Sequence, residues 1–204
     1  MSDTYKTIAL PGEAVYTEKR SRFLAFARHA ASVDEAKAIV ASYRKEYFDA
    51  RHVCYAYALG PAGETTRQND DGEPSGSAGK PIGGQLRSAE VTDAVVVVVR
   101  YFGGVKLGTG GLAVAYKTAA AEALRAAVIE ERIMTADFRV SVPYADADIT
   151  MRYVREAGAQ ITAREYTATG AVLTVAVRLD DEAALRSRLS KILSLHFTDE
   201  NVAE

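Results

Sequence analysis

The sequence predicts an α+β protein of two domains, and three observations carry that prediction. "VTDAVVVVVRY" is apolar at every position from Ala94 to Val99 and so reads as a strand covered on both faces. Around it, short aromatic-rich alternating segments are interspersed with segments of helical period. After "RIMTAD", the remaining elements run β-α-β-β-α-β, the ferredoxin-like split order. The boundary is placed at 136/137, giving an N-terminal domain 1–136 and a C-terminal domain 137–204.

The elements follow in chain order. "EAVYT" and "RFLAFARHA" are strands by composition. "SVDEAKAIVASYRKEY" is a helix that opens on a capping box of Ser32 and Glu35, with Ala36, Ile39, Val40, Tyr43 and Tyr47 at helical spacing. "RHVCYAYALG" alternates, with His52, Cys54, Ala56 and Ala58 on one face. "NDDGEPSGSAGKPIGG" reads as a long loop of breakers, and "GLAVAYKTAAAEALRAAVIEE" as a long helix whose alanines allow close packing on a sheet. In the second domain "FRVSVPY" is a strand, and "ADADITMRYVREAG" is a helix with Asp146 as N-cap and Gly158 as its stop. "AQITAREYT" and "GAVLTVAVRL" form a hairpin around Thr169–Gly170. "DDEAALRSRLSKILSL" is the last helix, and "HFTDE" supplies a short final edge strand.

Composition bounds the function. The 204 residues carry 25 Lys+Arg against 27 Asp+Glu, a net charge of −2, which argues against a general nucleic-acid coat. The acidic excess lies in the second domain, with 8 basic and 11 acidic residues. One cysteine, Cys54, excludes an internal disulfide, and no apolar run approaches a membrane helix. With no secretory signal pattern at the start, the expected location is cytoplasmic. Three histidines and one cysteine make a zinc site an unpromising reading, and no cofactor or metal is expected.

Two loops concentrate the chemistry. "RYFGGVKLGTGG" places Gly103, Gly104, Gly108, Gly110 and Gly111 within nine residues, beside Arg100 and Lys106. It is not a phosphate-binding P-loop, because the nearby "GSAGKP" has Pro81 where the hydroxyl residue belongs. "GTGGLA" fits a dinucleotide fingerprint only formally, since the turn is long and no second strand brings an acid to a ribose. Three readings remain: a crossover that needs glycine backbone, an anion or nucleic-acid contact at a helix start, and a catalytic loop. The second loop holds Asp70, Asp71, Glu73 and Ser75, fit for metal or acid/base work or simply for turns, and it can close on Lys80, Arg100 or Lys106. His52 and Cys54 share a strand face, which permits a nucleophilic pair as well as plain packing.

Three stretches, "RHVCYA" from Arg51, "DDGEPSGSAGKPI" and "VVVVRYFGGVKLGTGGLAVAYKTA", together resemble the IMPACT family in its bacterial YigZ-type branch. The resemblance implies an N-terminal β-α domain of the kind shared by domain IV of elongation factor G and a small-subunit ribosomal protein. It implies a C-terminal ferredoxin-like domain similar to domain V of that factor. Eukaryotic relatives regulate translation by binding a ribosome-associated activator, so a link to RNA, the ribosome or a translation-associated protein is implied here, and no catalytic residue is. On this reading Arg51, His52, Lys80, Arg100, Lys106 and the five glycines line an anion- or RNA-binding surface, with Tyr101 and Phe102 available to stack on bases. The alternative is an enzyme acting on a phosphorylated small molecule, with the glycine loop for phosphate and the acidic loop for metal or acid/base work.

Overall fold

A computed structural model describes residues 3–198. They form β1 (Thr4–Leu10), β2 (Gly12–Glu18), β3 (Ser21–His29), α1 (Val33–Glu46), β4 (His52–Leu59), β5 (Thr65–Asn69), α2 (Gly79–Ser88), β6 (Ala94–Tyr101), α3 (Gly108–Ala126) and β7 (Val128–Ile133). There follow β8 (Thr135–Pro143), α4 (Tyr144–Glu156), β9 (Gln160–Tyr166), β10 (Gly170–Arg178), a 3₁₀ turn, α5 (Glu182–Leu189) and β11 (His196–Phe197). Two compact units result, one of residues 4–132 and one of 133–198 joined by Asp3. The division therefore falls four residues ahead of the 136/137 boundary expected from sequence, which lies inside β8.

In the first unit the five-stranded antiparallel sheet has the order β2-β3-β6-β4-β5. The valine run is its central strand, and Val95 to Val99 are fully buried. Alternate residues serve different layers. Val96 and Val98, with Ala25, Ala27, Cys54 and Ala56, pack under α2 and α3. Val95, Val97 and Val99, with Phe26, Val53 and Tyr57, pack under α1. Each such valine is worth about 1.5–3 kcal/mol of burial, so the strand anchors both layers. Half of the α1 capping box forms as read, with the Glu35 N–H donating to Ser32 Oγ at 3.2 Å. The return bond shifts by one residue, the Glu35 carboxylate accepting from the Ala31 N–H at 2.7 Å and not from the N–H of the cap itself.

Four elements depart from the sequence reading. Thr4–Leu10 and Val128–Ile133 pair as a two-stranded sheet, so "VIEE" leaves the long helix, which stops where Ala127 turns extended. Gly79–Ser88 is helical despite its glycines and proline, and Thr65–Asn69 pairs with β4. Among the described residues no helix is long and apolar enough to cross a membrane.

The second unit has the sheet order β11-β8-β10-β9, with every neighbouring pair antiparallel. That is the ferredoxin-like topology. Phe138, Val140, Val142, Leu173, Val175 and Val177 face α4 and α5. Gly158 ends α4 in left-handed backbone at φ 67°, as expected. Asp146 is not the N-cap: α4 starts at Tyr144 after Pro143, and the Asp146 carboxylate accepts from Ser194 Oγ at 2.5 Å instead.

Candidate functional site

The two loops end in different situations, one sealed and one open. At the sealed end the last turn of β6 carries Arg100, which is 6% exposed. Its Nη1 donates to Glu73 Oε1 at 2.6 Å, and its guanidinium lies between the rings of Phe23 and Phe102, 5.5 and 5.6 Å from their centroids. The same Glu73 oxygen accepts from the Tyr116 hydroxyl at 2.8 Å. His52 stands opposite Arg100 in the β4–β6 ladder. Its Nδ1–H donates to the Asp71 carbonyl at 2.8 Å, which leaves Nε2 facing Glu73 Oε1 at 3.9 Å. Cys54 Sγ lies 3.0 Å from the Asp70 carbonyl and 3.3 Å from the Tyr116 hydroxyl.

Electrostatics inside this hub oppose nucleophilic chemistry. Burial pushes the Cys54 thiol well up, far from a thiolate at neutral pH. Burial also drives the Tyr116 hydroxyl up, with the neighbouring Cys54 and Glu73 adding to it. A Cys–His pair is therefore not formed: the thiol and the imidazole each bond a different carbonyl of the acidic loop.

The carboxylates of that loop are engaged as well. Asp70 accepts from the N–H groups of Gly76 at 2.8 Å, Ala78 at 3.0 Å and Gly79 at 2.8 Å, and so holds the start of α2. Burial pulls its carboxyl up, and the three backbone bonds outweigh this and hold it below the ordinary range. Asp71, in left-handed backbone at φ 43°, accepts from the Val53 N–H at 2.7 Å and from Arg44 at 2.8 Å. Ser75 is exposed on the loop's outer side. Among the described residues no group of three or more His, Cys, Asp and Glu is placed to hold a metal ion.

The open end is the glycine loop. Gly103 belongs to the fold: its N–H donates to Ser21 Oγ at 3.1 Å, and a Cβ there would lie 2.1 Å from the Arg20 carbonyl carbon. Gly104 and Gly108 take φ of 86° and 72° to turn the chain into α3. Gly110 and Gly111 then open the helix, with no side-chain cap and no acid in the first turn. Lys106 is exposed beside them, and Phe102 and Val105 are exposed too. Tyr101 is not free to stack, since its hydroxyl donates to Asp49 at 2.7 Å, a bond that together with burial lifts its pKa to about 12.

Val114, 59% exposed, forms a ridge on α3 with a shallow hollow on each side. One, of about 420 Å³, is lined by Gly76, Lys80, Pro81, Ala113 and Lys117. The other, of about 280 Å³, is lined by Tyr16, Glu18, Lys19, Leu107, Gly110 and Gly111. Lys80 thus shares one hollow with Lys117, and Lys19 lines the other beside Glu18; the sequence did not single out Lys19 or Lys117, and Lys106 lines neither hollow. None of the four pairs with a carboxylate among the described residues. Arg51 is exposed just ahead of β4, and Arg100 and His52 belong to the sealed hub, not to this surface.

Residues 19–124 match the Impact N-terminal domain, and residues 140–194 match a domain of unknown function (DUF1949). The IMPACT family member YigZ of Escherichia coli strain K12 is 40% identical over 138 residues, which is 67% of this chain and 68% of that protein. This chain belongs to the IMPACT family. The family member YvyE of Bacillus subtilis strain 168 is 37% identical over 135 residues, 66% of this chain and 62% of that one. The crystal structure of a hypothetical protein is similar over 97% of both chains, with a TM-score of 0.74 and 33% identity. In this IMPACT-family chain the N-terminal match contains the sealed hub, both loops and the ridge of α3, whereas the second match contains none of them.

Proposed function

We propose that the chain is a non-enzymatic, translation-linked regulator that binds RNA, the ribosome or a ribosome-associated protein through the ridge of α3 and the glycine loop. One observation carries this reading: the uncapped start of a 19-residue helix borders a hollow that holds Lys19 with Glu18, Val114 of the same helix borders a second that holds Lys80 and Lys117, Lys106 lies just ahead of the helix in sequence, and none of these four lysines forms an ion pair among the described residues. Free N–H groups and the helix dipole favour an anion there, and the lysines add full charges. The hollows are shallow and flank a convex ridge, a shape that suits a macromolecular surface better than an enclosed small molecule. Membership of a family whose eukaryotic relatives resemble translation regulators supports the choice of partner class.

The enzymatic alternative draws no support from the geometry. It needs Asp70, Asp71 or Glu73 open to substrate or metal, and all three hold the acidic loop in place. Arg100 is likewise a structural cation, so its removal would report on folding and not on binding.

Co-sedimentation with ribosomes and ribosomal subunits across a salt series tests the proposal, comparing the parent chain with Lys80→Ala/Lys106→Ala/Lys117→Ala. With about three or four phosphates contacted, log K should fall with log salt at a slope of roughly −2 to −3. The triple variant should flatten that slope and pellet poorly. Equal pelleting by both proteins, or binding indifferent to salt, would discard the lysine-framed ridge as the contact surface.

A further inference from the structure

The second unit carries a pattern that the ridge of α3 does not explain. Nearly every arginine in it has a carboxylate at hand: Arg139 pairs with Glu165, Arg152 and Arg188 with Glu156, Arg178 with Asp3, and Arg186 with Glu182. The exceptions among the described residues are Arg155 and Arg164. These two line one hollow of about 210 Å³, whose remaining walls are Met151, Val154, Ala159 and Ile161. An otherwise acidic unit thus presents two guanidinium groups without an ion-pair partner at the rim of a small depression whose other walls come from Met, Val, Ala and Ile residues.

The position of Arg164 there has a specific cause. Ile161 stands opposite Val175 and Arg164 opposite Leu173, both buried residues of the helix-covered face. Residues three apart on a regular strand point to opposite faces. A register irregularity between Thr174 and Val175 leaves Thr162 as an extra residue in β9, and this bulge brings Arg164 round to the side of Ile161 and α4. Met151 and Arg155, one helical turn apart on α4, complete the hollow from the other side.

β9 is also the terminal strand of its sheet. One row of its N–H and C=O groups consequently faces outward, and beyond the bulge residues 163–166 continue in regular register with β10. Tyr166, 70% exposed, stands on the helix side of that run.

We infer that the groove between α4 and β9 is a peptide-docking site that takes the C-terminal end of an extended polypeptide. The peptide adds as a strand along residues 163–166, its terminal carboxylate meets Arg155 and Arg164, and its last side chain fills the hollow. A chain terminus fits because it supplies an anion and an apolar group from one Cα, whereas an internal Asp or Glu supplies only the charge. Main-chain pairing gives such a site its affinity, and the pocket gives it selectivity. Nucleic acid fits less well, because the unit holds 8 basic against 11 acidic residues.

Selection from a library of short random peptides displayed with free C-termini on the full-length chain tests the assignment. Selected peptides should end in an apolar residue. They should bind about tenfold more weakly or worse as C-terminal amides, and similarly weakly to Arg155→Gln/Arg164→Gln. N-methylation of alternate peptide amides should also abolish binding, which checks the strand pairing without altering the protein. No selected peptide, equal binding of acid and amide, or equal binding to the double variant would overturn the site. So would a poly-uridine oligonucleotide whose binding, unlike that of any peptide, disappears in the double variant.

Discussion

Glu73 and Arg100 form an ion pair with the two side chains 4% and 7% exposed, so each charge depends on the other for its place in the protein. Removing one partner strands the other, whereas replacing both with apolar side chains removes the problem. Arg100→Ala should therefore cost about 3–5 kcal/mol in urea unfolding, while Glu73→Leu/Arg100→Met should recover most of that loss. A double variant as unstable as Arg100→Ala would mean that the pair does more than neutralise itself. Asp70 gives a second prediction at this scale, with a definite sign. Its folded-state pKa lies below the ordinary 3.8, so its contribution is present above that value and lost as pH falls through the folded pKa. Asp70→Asn should lower stability at neutral pH and leave a flatter acid limb in urea midpoints taken from about pH 7 to pH 3. An unchanged acid limb would show that the three N–H bonds are not made in solution.

At the level of elements, glycines in one loop divide by what surrounds them. A Cβ on Gly103 would meet Arg20 and Ser21 backbone at 2.1 and 2.2 Å, but one on Gly110 would meet nothing within 4 Å. Gly103→Ala should destabilise the β3–β6 side of the sheet by several kcal/mol, since backbone must move. Gly110→Ala should stabilise α3 by about 0.5–1 kcal/mol, the helix-propensity gain. If the ridge is the contact surface, Gly110→Ala will also weaken ribosome pelleting while raising Tm, a divergence that a purely structural glycine cannot produce. The sequence made the central strand legible because six apolar residues in a row admit only a doubly covered position. It did not make α2 legible. Its glycines and Pro81 argue against a helix, and what holds it is the Asp70 carboxylate nine residues before Gly79, with Ile82 and Leu86 buried beneath α3. Arg100 was readable as chemically important, but its burial was not, because its Glu73 partner lies 27 residues away across a loop. The bulge at Thr162 was equally hidden: period-2 reading of "AQITAREYT" assigns Arg164 to the wrong face.

Across the whole molecule, the buried side chains separate into cores with no member in common. Two lie on either face of the five-stranded sheet within residues 4–132, and one lies under α4 and α5 within 133–198. Stability should therefore be carried by two cooperative units, each with its own response to a core lesion. Leu189 is fully buried in the second unit, and Leu189→Ala should cost about 2–5 kcal/mol there. In native-state hydrogen exchange, that variant should lose protection in β8 and β10 while β3, β4 and β6 keep theirs, and Arg100→Ala should give the reverse pattern. Loss of protection in both units from either substitution would show that they unfold together. The separation bears on function, because the ridge of α3 and the groove beside β9 draw on different cores. A lesion that melts one unit should leave the other's surface intact, so if the ridge of α3 is the ribosome contact proposed above, Leu189→Ala should still pellet with ribosomes at low temperature, where the first unit remains folded.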